Sequence, residues 1–342
     1  MKTIYACDDH YFRYAYVSIW TLLEHNTENG DLDIVFVEQD VSEVNLSSLS
    51  DLGTQFHREI SIRKFSMPQE YDSLPAVGAS KTTFAKFLFS SMFDDDKVLF
   101  IDPDTLILGD LRPMDEIDVS GCMFAGVIEN LPEYHRIAAG MKSDESYING
   151  GVVICNLKLW REVDFERQVL EYMTGRSCSN NFDQGIINEL CHDRIKIIPP
   201  KYNLLAEVTE FQSAEKLKTR YGFERYYDQR EIDEALQFPV IIHFTQFLYG
   251  KPLMKKCTHP YTGLFQEYLD RSPLDHTLSN DDCNSKVKIR RWVLHHTPFR
   301  VYLLMEKILD IRRRRMLSYI PAASSGRKTA DSRALTRVKK PR

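Results

Sequence analysis

At 342 residues, 43% of them hydrophobic, the chain has enough apolar material for a sizeable core, which excludes wholesale disorder and suits one large domain or two small ones. No apolar run is long enough to cross a bilayer, and residues 1–9 lack the long apolar centre of a signal peptide, so the cytoplasm is the expected compartment. The net charge of −5 conceals an asymmetry: from Lys286 onward Lys and Arg recur to the last residue, opposed only by Glu306, Asp310 and Asp331, which points to a polyanionic partner.

The chain then alternates short apolar runs with helical patterns. Strands are expected at residues 3–7, 33–37, 60–65, 98–101, 123–128, 152–156, 195–198 and 240–244. Their hydrophobicity is continuous rather than alternating, which suits strands covered on both faces. Helices are expected near 11–24, 46–52, 82–92, 165–173 and 183–190. This order is that of an α/β fold with a mostly parallel central sheet flanked by helices, in which ligands bind outside the carboxyl ends of the strands. Residues 204–238, rich in Tyr, Glu, Lys and Arg, read by default as a solvated helical excursion and otherwise as a lid or acceptor platform. Thr297-Pro298 opens a helix expected over 299–319, with Val301, Leu304, Ile308 and Ile311 at helical spacing. Beyond it a Ser-, Gly-, Lys- and Arg-rich tail is expected to be disordered. The seven cysteines are scattered without a C-x-x-C pair, so neither zinc nor a disulfide framework is expected.

One strand end carries chemistry. In Val98-Leu99-Phe100-Ile101-Asp102-Pro103-Asp104 an apolar strand delivers two carboxylates one residue apart, and in an extended segment residues i and i+2 point the same way. Both can converge on a hard cation such as Mn2+ or Mg2+, which takes carboxylate oxygens and adds ligand phosphates. Alone, the triplet would read as an Asp-Pro turn closing a strand. A second acidic cluster, Asp8-Asp9, follows the first strand, where one of the two aspartates could instead cap the next helix.

Several ordered blocks accompany the acidic pair: Ile4-Tyr5-Ala6-Cys7-Asp8-Asp9, Thr83-Phe84-Ala85-Lys86, Tyr147-Ile148-Asn149-Gly150-Gly151-Val152, Asn156-Leu157-Lys158-Leu159-Trp160-Arg161, Phe182-Asp183-Gln184-Gly185-Ile186-Ile187-Asn188 and His243-Phe244-Thr245. Together they resemble glycosyltransferase family 8, retaining enzymes of GT-A (Rossmann-like) fold, in particular bacterial lipopolysaccharide and lipooligosaccharide galactosyl- and glucosyltransferases. The resemblance implies that Asp102, Asp104 and His243 hold Mn2+ (or Mg2+) against the diphosphate of a UDP-hexose. It implies that Ala6 and Asp8 meet uracil and ribose, and that Asn149, Asp183 and Gln184 surround the donor sugar, Asp183 and Gln184 being the catalytic candidates. Glu129 stands where an Asp is usual. Lys86 takes a position usually held by Arg, which keeps the charge and loses the planar fork. His10 replaces a small amide residue that contacts the nucleotide. The block H-x-x-G-x-x-K-P-W appears with Lys251 two residues later than usual and with Leu253 in place of Trp; Lys251 is still expected to reach the diphosphate.

The expected organisation is a catalytic domain over residues 1–277, a basic amphipathic helical extension over 278–320 and a disordered basic tail over 321–342. The expected function is metal-dependent, retaining transfer of galactose or glucose from a UDP-sugar to a glycan or glycolipid acceptor, lipopolysaccharide or another lipid-linked saccharide. The basic, aromatic extension resembles tails that attach related enzymes to membranes, so an anionic surface on the inner face of the cytoplasmic membrane is the expected docking partner. Nucleic acid is not expected, because no recognition fold accompanies the charge. Two rival readings stand beside this one. A noncatalytic nucleotide-sugar-binding protein is favoured if Lys86 and the Lys251 loop disable the site. A nucleotidyltransferase would need another phosphate loop, and no G-x-x-x-x-G-K-[ST] occurs.

Overall fold

The computed structural model describes residues 1–68, 81–142, 144–174, 182–280 and 285–318; the expected tail at 321–342 lies outside them. Among the described residues nine strands form: β1 (Lys2–Asp8), β2 (Asp33–Gln39), β3 (Ile60–Lys64), β4 (Val98–Ile101), β5 (Thr105–Ile107), β6 (Phe124–Ile128), β7 (Ile148–Cys155), β8 (Ile195–Ile197) and β9 (Ile241–His243). Seven make one sheet in the order β3-β2-β1-β4-β7-β6-β8, while β5 and β9 pair separately. The sheet is mostly parallel, with β7 antiparallel to both β4 and β6.

The continuous apolar runs are explained by the two cores. Along β1, Tyr5 and Cys7 face one core with Phe12, Tyr16 and Phe36, while Ile4 and Ala6 face the other with Phe100, Phe124 and Trp160. Successive residues point to opposite faces, so both sets must be apolar. In the second core Trp160 packs against Phe124 and Phe165, each with ring centroids 4.9 Å away, and its indole N–H donates to the Met123 carbonyl at 3.0 Å. Truncating such a side chain costs about 3–5 kcal/mol. The five described cysteines are free.

Three features differ from the sequence reading. Residues 204–238 are not a solvated excursion: the helices Ala206–Phe211, Ala214–Tyr221 and Gln229–Gln237 bury Val208, Phe211, Leu217, Tyr221 and Ile232 in the first core. Tyr227 ties them to the sheet, accepting from Ile128 N–H at 3.0 Å and donating to the Ile198 carbonyl at 2.8 Å. The expected helix at 82–92 winds instead as a 3-10 helix, Lys81–Leu88, followed by one α turn, Phe89–Met92. The last helix, Phe299–Ser318, turns its regularly spaced Val301, Leu304, Ile308 and Ile311 to solvent and buries Tyr302 and Glu306. Glu306 is taken inside because Arg220 and Arg290 meet it at 2.6 and 2.5 Å.

Candidate active site

Strand pairing assembles the site. β4 ends at Ile101 and β5 begins at Thr105, which sits directly opposite His243 of β9. Phe244 N–H donates to the Asp104 carbonyl at 2.9 Å, so the small ladder delivers His243 to the acidic pair. His243 Nε2 lies 3.8 Å from Asp102 Oδ2 and 3.6 Å from Asp104 Oδ1, and ligand atoms of all three fall within 4.8 Å of one another. Two ligands on one six-coordinate ion with bonds of about 2.1 Å stand roughly 3–4 Å apart. The donor set therefore fits one hard cation.

β7 leaves room for it. Asp102 N–H donates to the Gly151 carbonyl at 2.5 Å, and a Cβ at Gly151 would stand 2.4 Å from both Asp102 Oδ2 and His243 Cε1. Glycine is required there by close approach. Burial pushes Asp102 up to about 6, with Lys86 and His243 pulling the other way. Burial acts on Asp104 too, but Lys251, with Nζ 2.8 Å from Oδ2, and His243 hold it well below the usual carboxylate range. Lys251 also donates to Tyr11 Oη at 3.1 Å and lies over the Tyr11 ring. The lengthened loop thus brings its lysine to the carboxylate cluster. It does so with Phe247 at a φ of 25°, an uncommon setting for a bulky residue.

A partly buried polar group adjoins the cluster. Lys86, 1% exposed, donates to Asp183 Oδ2 at 2.6 Å and to the Gly150 carbonyl at 2.8 Å. Burial alone would lower its pKa; Asp183 and Asp102 outweigh that and raise it. Gln184, on the helix Phe182–Cys191, accepts from Gly150 N–H at 3.0 Å and from Asn149 Nδ2 at 3.2 Å. Asn149 Nδ2 also donates to Glu129 Oε2 at 2.5 Å, and burial raises the Glu129 pKa against that hydrogen bond. The structure thereby brings Lys86, Glu129, Asn149, Asp183 and Gln184 together.

Ala6 and Asp8 lie at the carboxyl end of β1, which runs parallel to β4 and so ends on the same edge as Asp102. Asp8 Oδ1 accepts from the N–H groups of His10 and Tyr11, fixing the turn into the helix Phe12–His25. Asp9 reaches instead to Ser42 N–H and Asn45 Nδ2. Sequence reasoning missed Tyr11 as the partner of Lys251, and Asn203, which is fully buried and touches both His243 and Asn149. No sequence signal marked Asn203.

The sequence model of glycosyl transferase family 8 matches residues 2–252. The chain belongs to glycosyl transferase family 8. The family 8 chain is 22% identical over 214 residues to a putative glycosyltransferase of Haemophilus influenzae, covering 59% of this chain and 63% of that protein, so it spans less than two thirds of that relative. It is 21% identical over 280 residues to the lipopolysaccharide 1,2-glucosyltransferase of Escherichia coli, covering 80% of this chain and 78% of that one. Among solved structures, the galactosyltransferase LgtC, crystallised with donor and acceptor sugar analogs, superposes with a TM-score of 0.66 at 21% identity, covering 80% of this chain and 97% of LgtC. That likeness establishes the GT-A fold for this family 8 member. Among the described residues no helix is long and apolar enough to cross a membrane.

Proposed function

We propose that this family 8 member transfers galactose or glucose from a UDP-sugar to a glycan acceptor with retention of configuration, and that the acceptor is lipopolysaccharide or another lipid-linked saccharide. The observation that carries the reading is the Asp102–Asp104–His243 cluster set directly beside the partly buried polar group of Glu129, Asn149, Asp183 and Gln184. Asp102, Asp104 and His243 would hold a divalent cation, Mn2+ or Mg2+. When bound, such a cation acts as a Lewis acid on the departing diphosphate. Lys251 adds fixed positive charge at the same edge, where preorganised charge stabilises a developing anion. Asp8 and the backbone at Ala6 receive the ribose and uracil. Asn149, Asp183 and Gln184 offer hydrogen bonds to hexose hydroxyls, and a donor lacking a hydroxyl would leave such a group unpaired. Lys86 holds Asp183 in place through its 2.6 Å hydrogen bond to Oδ2. Two routes to retention fit these groups: a covalent intermediate on the Asp183 or Gln184 side chain, or acceptor attack from the leaving-group face.

The test is hydrolysis of a panel of UDP-sugars with and without Mn2+, with NMR of the anomer released. Metal-dependent release of a hexose with the donor's configuration is expected. Full turnover in metal-free buffer would sink the mechanism, and binding of UDP-sugars without any turnover would favour a noncatalytic nucleotide-sugar-binding protein.

The lipid-linked acceptor is supported by the surface of the last two helices, Ser285–His296 and Phe299–Ser318. Ile289, Trp292, Val301, Leu304, Ile308 and Ile311 are all exposed there, beside exposed Arg300, Lys307, Arg312 and Arg313. Apolar side chains enter a membrane interface while Lys and Arg attract anionic headgroups. Leu304→Glu with Ile308→Glu should release the chain from phosphatidylglycerol vesicles while sparing turnover on a soluble acceptor; unchanged vesicle binding would refute this docking surface.

A further inference from the structure

A chain of hydrogen bonds runs from the backbone of β7 to the imidazole of His243, and its direction is fixed at one end. Gly151 N–H can only donate, and it donates to Asn149 Oδ1 at 2.9 Å. That atom is therefore an acceptor, and Asn203 must turn its Nδ2 toward it, at 2.9 Å. The oxygen of the same amide then faces His243 Nδ1 at 3.0 Å. An amide oxygen only accepts, so Nδ1 must carry the proton. Nε2, which faces Asp102 and Asp104, is then the nitrogen left to ligate a cation. At its other end the Asn149 amide donates to Glu129 and Gln184. Gln184 Oε1 is fixed as an acceptor in the same way, by Gly150 N–H at 3.0 Å. Asn203 is fully buried and His243 only 4% exposed, so water cannot substitute for either contact.

We infer that Asn203 is a positioning residue that holds His243 in its Nδ1–H tautomer, with Nε2 free to ligate, and couples that ligand to the Asn149–Gln184–Glu129 group. Hydrogen bonds to the distal nitrogen of a ligating histidine set its orientation and basicity, and removing one costs roughly 10–100-fold in metal affinity. The inference rests on the metal reading of the Asp102–Asp104–His243 cluster.

The experiment uses the full chain labelled with 15N-histidine, with His243 assigned by comparison with His243→Gln. In metal-free protein, long-range 1H–15N spectra should show a proton on His243 Nδ1. This needs no variant; a ring with Nδ1 bare and its proton on Nε2 would overturn the relay. Asn203→Leu, of similar size and unable to hydrogen-bond, should lose the Nδ1–H preference and weaken Mn2+ binding about 10–100-fold by EPR titration. Asn203→Asp can accept from Nδ1 but cannot donate to Asn149. It should keep the tautomer and hold Mn2+ affinity within a few-fold while KM for the donor rises. A merely structural role would not separate the two variants in this way. Unchanged Mn2+ affinity and tautomer in Asn203→Leu would overturn the inference. An unaltered chain that binds no Mn2+ would refute the metal reading instead, while the metal-free spectra still decide the relay.

Discussion

Replacing Gly151 by alanine should empty the metal site while leaving the fold standing. The added Cβ would lie 2.4 Å from Asp102 Oδ2 and His243 Cε1 and 3.0 Å from Asp102 Cγ, where ordinary contact begins at 3.4 Å. About 1 Å of movement is therefore required. His243 is held by Asn203 at 3.0 Å, whereas the Asp102 carboxylate, 33% exposed, can rotate toward solvent. His243 cannot move away so easily, so the folding cost falls within the overpacking range, about 1–3 kcal/mol, or a fall of about 1–4 °C in Tm for a chain of this size. The functional cost is much larger, because metal ligands tolerate only about 0.2 Å of displacement and a 1 Å misplacement can cost about 100-fold. Mn2+ affinity measured by EPR titration should fall at least about 100-fold, and UDP-sugar turnover with it. Gly150→Ala is the control: its Cβ would meet Asp183 and Gln184 at 3.3 Å but not the ligand triad, so Mn2+ affinity should change less than about threefold. Gly151→Ala with unchanged Mn2+ affinity would show that the close packing of Asp102 and His243 on β7 does not form the cation site.

Asp102→Asn should abolish Mn2+-dependent turnover yet stabilise the metal-free chain. Burial raises this carboxyl to about 6, so its ionised form is held at a cost, about 1 kcal/mol once its partial exposure is discounted; a lower Tm would contradict this. His259 gives a pH test. Burial lowers it from 6.5 to about 4, and its Nε2 has no hydrogen-bond partner. The unfolded chain therefore takes up the proton first as pH falls below 6.5, and about 3 kcal/mol of stability is lost between there and pH 4. His259→Phe should flatten urea-denaturation stability over that range, and an unchanged slope would refute the assignment. Glu306→Gln leaves Arg220 and Arg290 beside a neutral, fully buried side chain, which should cost about 3–5 kcal/mol and lower Tm by about 4–7 °C. A shift under 2 °C would mean that the pair carries little of the C-terminal docking.

What the sequence made legible was whatever has a period or a strong local chemistry. Among the described residues, continuous apolar runs placed seven of nine strands close to their observed bounds, in the central strands because both faces of the sheet are covered. The start of β7 was hidden for a reason that is itself functional. Asn149-Gly150-Gly151 looks like a turn, yet glycine is there so that Asp102 and His243 can come close across a strand. β5 is three residues long, too short for any period, and its importance lies in its partner: pairing Thr105 with His243 joins segments far apart in the chain. The helices between 206 and 237 have six to nine residues each, about two turns, in which one buried face cannot repeat often enough to stand out among the charges. The helix Phe299–Ser318 teaches the complementary lesson. Its apolar residues share a face as their spacing implied, but spacing does not say which face turns inward. That was decided by Arg220 and Arg290, which neutralise Glu306 and draw the opposite side into the core. Asn203 was the hardest to foresee, because nothing about a lone asparagine after a tyrosine distinguishes a surface amide from one that sets a histidine's proton. Its role comes from contacts between segments: Leu204 pairs with Ile242 and so sets Asn203 beside β9, the strand whose pairing with β5 carries His243 to the two aspartates.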